Sequence, residues 1–124
     1  MQSKDIEVSE PWADRIFDGS KKIEVRKNNP ANWGATKVGD ILNVIHKQSG
    51  ETNSFRVVAT RTYSDLNECL SAEGIRHLLP GVVTMSEARR IYLGFDGEDF
   101  DSMQEREWEY EMSGCIAIEL VPFK

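Results

Sequence analysis

At 124 residues, with a formal net charge of −6, 40% hydrophobic and 29% charged residues, the chain has the size of one domain and the composition of an ordinary globular protein. No apolar run approaches the roughly 20 residues that cross a bilayer, and residues 1–8 lack the apolar stretch of a secretory signal; neither membrane association nor export is expected. The acidic balance excludes a protein that coats nucleic acid without selectivity, because that mode needs many Lys and Arg contacts to phosphate.

The charge is unevenly spread. Residues 1–14 carry −3, residues 15–61 carry +5 and residues 62–124 carry −8, so a basic face suited to an anion can form on an acidic body. The acidic run from Glu98 to Glu111 reads as a solvated helix face or as a surface for a protein partner. The two cysteines, Cys69 and Cys115, lie far apart and have no Cys or His at metal-ligand spacing. Buried thiols in a reducing compartment, the cytoplasm or the nucleus, are expected.

In chain order, Asp5–Val8 predicts a first strand. Ser9, Glu10 and Pro11 supply a helix start, with the helix over Pro11–Asp18 and Gly19 ending it. Lys22–Arg26 alternates polar and apolar as a half-buried strand does, which puts Ile23 and Val25 on one face and Lys22, Glu24 and Arg26 on the other. Lys21 stands at its entrance. Asn28, Asn29, Pro30, Asn32 and Gly34 make 27–37 a loop. Trp33 within it is either a core plug or a stacking surface at a pocket mouth.

Ile41–His46 reads as a strand buried on both faces, followed by a turn at 48–52 and a strand over Phe55–Tyr63 with Phe55, Val57 and Ala59 on one face. His46 has no second ligand at useful spacing, so no metal site is expected. Asp65 with Glu68, and Thr84 with Glu87, are capping pairs that introduce two helices ending at Gly74 and Gly94. A helical turn over Ile75–Leu79 lies between them, stopped by Pro80-Gly81. Ser102–Met112 is expected to be helical, with Met103, Trp108 and Met112 as its anchors. Cys115–Val121 closes the chain as a strand ended by Pro122. This order fits an α+β fold, a five- or six-stranded antiparallel or mixed barrel decorated by short helices; a split α+β sandwich is the alternative.

One stretch asks for more than a fold. Spacing of two along a strand lets Arg26 pair with Glu24 or with a ligand, and Lys21 stands beside them. Alternation by itself describes a solvated strand face with a surface ion pair, a contribution of about 0–1 kcal/mol.

Pro11-Trp12 in a short helix, Gly19-x-Lys21-x-x-Glu24-x-Arg26 in the next strand and Val38-Gly39-Asp40 after a loop resemble the ASCH domain, a family of the PUA-like superfamily. Tyr63, Leu78-Leu79-Pro80-Gly81, Ile91-Tyr92 and the strand from Gly114 to Phe123 are similar to it as well, so the resemblance covers nearly the whole chain. It implies a small β-barrel with helices around it and a cleft, lined by the 19–26 strand, that takes RNA, a nucleotide or a modified nucleoside. It also turns the balance at Lys21, Glu24 and Arg26 towards a ligand-facing role. A Lys is a point charge for phosphate, an Arg a planar fork, and a carboxylate an acceptor for a base amino group. Trp12 or Trp33 would stack a base.

One branch of the family is similar to an amidohydrolase that deacetylates N4-acetylcytidine, in which a Lys is followed three residues later by a nucleophilic Thr. Lys21 matches that Lys, but Glu24 stands at the Thr position. A carboxylate cannot form the acyl intermediate through a hydroxyl, although it could act as general base toward water. Lys21 and Glu24 are therefore catalytic candidates only if the protein is an enzyme. Metal-assisted RNA cleavage, also suggested by ASCH relatives, finds no recognisable metal-binding arrangement here, and no cofactor is implied.

Overall fold

Capping and turn chemistry set most element boundaries. The computed structural model describes residues 2–94 and 100–123, the side chains of 100–104 excepted. Residues 95–99, with Glu98 at the start of the acidic run, thus lie outside the described residues, as does the side chain of Met103. The strands are β1 (Ser3–Val8), β2 (Ile23–Lys27), β3 (Ile41–His46), β4 (Thr52–Tyr63) and β5 (Cys115–Pro122); the helices are α1 (Trp12–Asp18), α2 (Leu66–Glu73), α3 (Ile75–Leu78), α4 (Met85–Leu93) and α5 (Phe100–Ser113). A 3-10 turn, Trp33–Ala35, interrupts the loop after β2.

Both capping pairs form as the sequence predicts. The Asp65 carboxylate accepts from the Glu68 amide at 2.8 Å, and the Thr84 hydroxyl accepts from the Glu87 amide at 3.2 Å. Gly19 and Gly94 end α1 and α4 in the left-handed conformation. The start of α1 differs from expectation. Pro11, joined to Glu10 by a cis peptide, is the N-cap, no side chain caps it, and Ser9 contributes its carbonyl to the Ala13 amide at 3.0 Å.

The sheet is mixed and runs β1-β3-β4-β5-β2, with β1 parallel to β3 and every other pair antiparallel. β4 is the long member. Its first part pairs with β3 and its later part with β5, and the register shifts between Val57 and Ala59, a bulge that increases local bend and twist. The sheet curls into a half-barrel whose two edges are β1 and β2. The expected barrel is thus five-stranded, mixed and open on one side.

β5 is covered on both faces. Ile116, Ile118 and Leu120 belong to one buried cluster with Ile6, Val8, Ile16, Leu42, Val44, Phe55 and Val57. Cys115 and Ala117 belong to the other, with Ile23, Val25, Leu70, Leu78, Leu79 and Tyr110. Alternate residues of one strand therefore feed two cores, as a run of near-continuous hydrophobicity allows. Trp12 packs against both. Both cysteines are buried free thiols, and a hydrogen bond with Cys69 together with burial pushes the Cys115 thiol far up.

α5 corrects the sequence reading. It begins two residues earlier than expected, and Trp108 and Met112, expected as anchors, are 59% and 68% exposed. Among its described side chains the buried one is Tyr110. Polar groups also hold the helix to its neighbours: Arg106 Nη1 donates to the Leu93 carbonyl at 2.9 Å, Arg89 Nη2 pairs with Glu107 at 2.6 Å, and Lys27 on β2 pairs with Glu109. With charged side chains supplying part of the docking, Trp108 and Met112 are left in solvent. Among the described residues no helix is long and apolar enough to cross a membrane.

Gly50 and Gly114 have similar positive φ, 78° and 73°, but different surroundings. A Cβ at Gly50 would meet open space, whereas one at Gly114 would run into the backbone carbonyl of Tyr63. Gly50→Ala should lower the unfolding free energy by about 1–2 kcal/mol, the strain of the left-handed backbone alone, and Gly114→Ala by clearly more. Urea denaturation of the two variants checks this; equal losses would mean that the Tyr63 contact costs nothing.

Candidate ligand cleft

The cleft lies where the two open edges of the sheet approach each other. It is formed by the turn from β1 into α1, by β2, and by the inner sides of α4 and α5, and encloses about 840 Å³, a volume suited to a small ligand. Its floor comes from residues 21–26. Because Glu24 pairs with Ile118 and Arg26 with Ile116 across the β2–β5 ladder, the two polar side chains lie on the concave side of the sheet.

Lys21 reaches inward rather than into solvent. Its side chain is 1% exposed; Nζ donates to the Ile23 carbonyl at 2.5 Å and to the Leu78 carbonyl at 2.6 Å, and lies 3.4 Å from Glu24 Oε1. Three oxygens around one nitrogen match the three N–H groups of an ammonium, not the two of a neutral amine. Burial pulls Lys21 below the ordinary lysine range and the Glu24 carboxylate opposes this. The Leu78 carbonyl belongs to the last residue of α3, where a cation is also favoured by the helix dipole.

The other Glu24 oxygen takes Arg26. Oε2 accepts from Nε at 3.1 Å and from Nη2 at 2.7 Å, and Nη2 also donates to the Glu7 carbonyl on β1 at 3.3 Å. Arg26 therefore spans the open side of the half-barrel from one edge strand to the other. Trp33 reinforces that seam: Lys4 of β1 lies 4.6 Å and Arg26 of β2 lies 5.3 Å from its ring centre, a cation–π contact on each. Burial by itself would raise the Glu24 carboxyl, but Lys21 and Arg26 outweigh it and hold the group below its usual 4.5. Glu24 is thus an ionised carboxylate held by two cations.

Of the residues singled out in the sequence, Trp12, Lys21, Glu24 and Arg26 come together in this cleft. Trp33 does not line it; it backs Arg26 from the seam. Sequence reasoning missed the opposite wall, which α4 and α5 supply through Glu87, Arg90, Tyr92, Arg106 and Tyr110. The Thr84–Glu87 capping pair located α4, but no local signal says which strand a helix covers. Among the described residues four basic and four acidic side chains line the cleft, so the +5 of residues 15–61 is offset there by acids.

A second cluster, Glu10, Asp14 and His46, brings ligand-type atoms within 4.8 Å of one another. His46 Nδ1 accepts from the Gln48 and Ser49 amides at 3.2 and 3.1 Å, which leaves the proton on Nε2, 3.2 Å from Asp14. A nitrogen that carries its proton has no lone pair for a metal.

A curled five-stranded sheet with helices at its open side and a polar cleft between its edges defines an α+β protein of the PUA-like kind. The chain belongs to the ASCH domain family, whose sequence model matches residues 6–123. Its structure is similar to the crystal structure of the hypothetical protein PH0355, at 31% identity and a TM-score of 0.76 over 99% of this chain and 100% of that one. It is also similar to the solution structure of protein PF0455 from Pyrococcus furiosus, at 27% identity and 0.69 over 100% and 99%. The ASCH protein of Zymomonas mobilis shares the fold at 15% identity, with a TM-score of 0.60 over 95% of this chain and 66% of that one. No match is found among curated proteins.

Replacing Glu24 by Gln leaves two cations facing each other, one of them buried, and removing one member of such a cluster costs about 3–5 kcal/mol. The stability Glu24 contributes is fully present above the unfolded carboxyl's value of 4.5 and is lost as pH falls through the lower folded value. Glu24→Gln should therefore be markedly less stable than wild type at pH 7 in urea denaturation, with the gap narrowing below pH 4.5. A gap that stays constant to low pH would show that the carboxylate is not the group responsible.

Proposed function

We infer that the cleft binds a single nucleotide unit, either within RNA or as a free or modified nucleoside or nucleotide, and that it binds without transforming it. The observation that carries this reading is the Lys21–Glu24–Arg26 cluster at the floor of a cleft walled by Trp12, Tyr92 and Tyr110. Arg26 keeps Nη1 uncommitted among the described residues, and Trp12 is half-buried at the cleft wall. An Arg fork beside an aromatic face is a common means of gripping one unstacked base with its sugar. Membership of the ASCH family, with the RNA-like ligands that its cleft implies, supports the same reading.

Binding is favoured over the hydrolytic reading by the state of Glu24. A general base must take up a proton near the working pH, whereas this carboxylate is held in its ionised form by Lys21 and Arg26 and is a weak base. Lys21 has all its donors engaged, so neither residue is poised for proton transfer.

Titration with short single-stranded RNA and a panel of nucleosides and nucleotides, followed by Trp fluorescence, should give saturable binding. Arg26→Ala should weaken it about 10- to 100-fold, the loss of a hydrogen bond to a charged group, while Arg56→Ala, whose guanidinium lies over Phe123, should leave it unchanged. No binding, or equal binding by Arg26→Ala, would refute the assignment. Release of free cytidine from an N4-acylated cytidine would return Lys21 and Glu24 to catalytic roles.

A further inference from the structure

Tyr92 lines the cleft, and its hydroxyl is closed to solvent without a hydrogen-bond partner among the described residues. A buried polar group with no partner is costly, and such groups call for an explanation in a bound molecule or ligand. Burial, then the nearby Glu24 and Tyr110, push its phenol well above the ordinary 10, so it is an O–H donor at any physiological pH. Three kinds of hydrogen-bonding group therefore belong to the cleft: the Tyr92 hydroxyl in its wall, and at its floor the N–H groups of Arg26 Nη1 and Glu24 Oε1, which among the described residues takes Lys21 alone, whereas Oε2 already accepts two N–H groups of Arg26. The floor carries two cations, but Lys21 is covered and spent on two carbonyls and on Glu24, so the Glu24 carboxylate stands where a phosphate would have to sit.

We propose that the cleft reads the uncharged hydrogen-bonding edge of a nucleobase through the Tyr92 hydroxyl above the Glu24–Arg26 floor, and that sugar and phosphate stay outside this subsite. The inference rests on the nucleotide-binding reading and specifies which part of the ligand enters. An edge that carries a donor beside an acceptor matches a carboxylate beside an O–H and an N–H, whereas a phosphate, an acceptor only, would face the Glu24 carboxylate. Trp12, Val25, Leu79 and Ile91 line the same cleft with flat or apolar surface, as a planar ring requires. Because the Tyr92 hydroxyl is covered in the unliganded protein, its ring turns towards the ligand on entry. That turn breaks no hydrogen bond and gives the hydroxyl a partner, so Tyr92 is a specificity-determining residue that responds to occupancy.

The test is titration of wild type and Tyr92→Phe with the four common nucleosides, their 5′-monophosphates, inorganic phosphate and ribose 5-phosphate, together with thermal melts of both proteins without ligand. At least one nucleoside should bind about as well as its monophosphate, and phosphate and ribose 5-phosphate should not displace it. Tyr92→Phe should bind that nucleoside about tenfold more weakly, while its melting temperature is unchanged or raised because no protein hydrogen bond is lost. Nucleotide binding that ribose 5-phosphate or phosphate displaces, or that Tyr92→Phe leaves intact, would overturn the inference and leave the nucleotide-binding reading standing. A lower melting temperature for Tyr92→Phe would also count against it, since the hydroxyl would then already have a partner. Failure of RNA, nucleotides and nucleosides alike to bind would overturn both.

Discussion

The ammonium of Lys21 holds together parts of the chain that have no other reason to meet. It fastens the start of β2 to the end of α3 through two carbonyls, and through Glu24 it fixes the position of Arg26. Arg26 in turn reaches β1. The half-barrel has no backbone ladder between β1 and β2, so this relay of charge, with Trp33 behind it, does across the opening what hydrogen-bonded strands do elsewhere in the sheet. Buried ion clusters are weak evidence for net stability when compared with apolar packing. Here the cluster's role is better described as specifying the separation of two edges, and a cleft that opens between those edges depends on that separation.

The same arrangement explains why charged side chains gather at the floor of the cleft. Side chains on the concave face of β5 and β3 pack as aliphatic core, and only where β2 faces the gap is there no opposing strand to complete an apolar layer. Polar groups there can remain ionised because they satisfy one another, with six contacts among three side chains and three carbonyls.

Much of the fold was legible in the sequence because it is written in local chemistry. Asp65 and Glu68, Thr84 and Glu87, Gly19 and Gly94 each act within one helical turn, and all take the positions that their residue types predict. The site was legible only in part. Alternation in Ile23–Lys27 separates polar from apolar side chains, but it carries no information on whether the polar side is wet; Glu24 is 6% exposed because distant residues arrive to cover it. Lys21, outside the alternating run, is more buried still. Tyr92 and Tyr110 could be read as helix residues facing a core, yet their place in a cleft depends on how α4 and α5 are set against β2, through pairs such as Lys27 with Glu109 that join distant parts of the sequence. Trp108 shows the reverse failure, since a large apolar side chain at helical spacing is no guarantee of burial.

β5 serves both hydrophobic clusters at once and pairs with β4 on one side and β2 on the other. Of the five strands it is also the one synthesised last. Until residues 115–122 have left the ribosome, neither cluster can close, and β2 has no strand to pair with, because its partner for Ile23 is Glu119. Long-range pairing of this kind slows folding, since the chain must close a large loop before the contact repays it. Closure of the half-barrel and of both clusters therefore waits on the last strand of the chain.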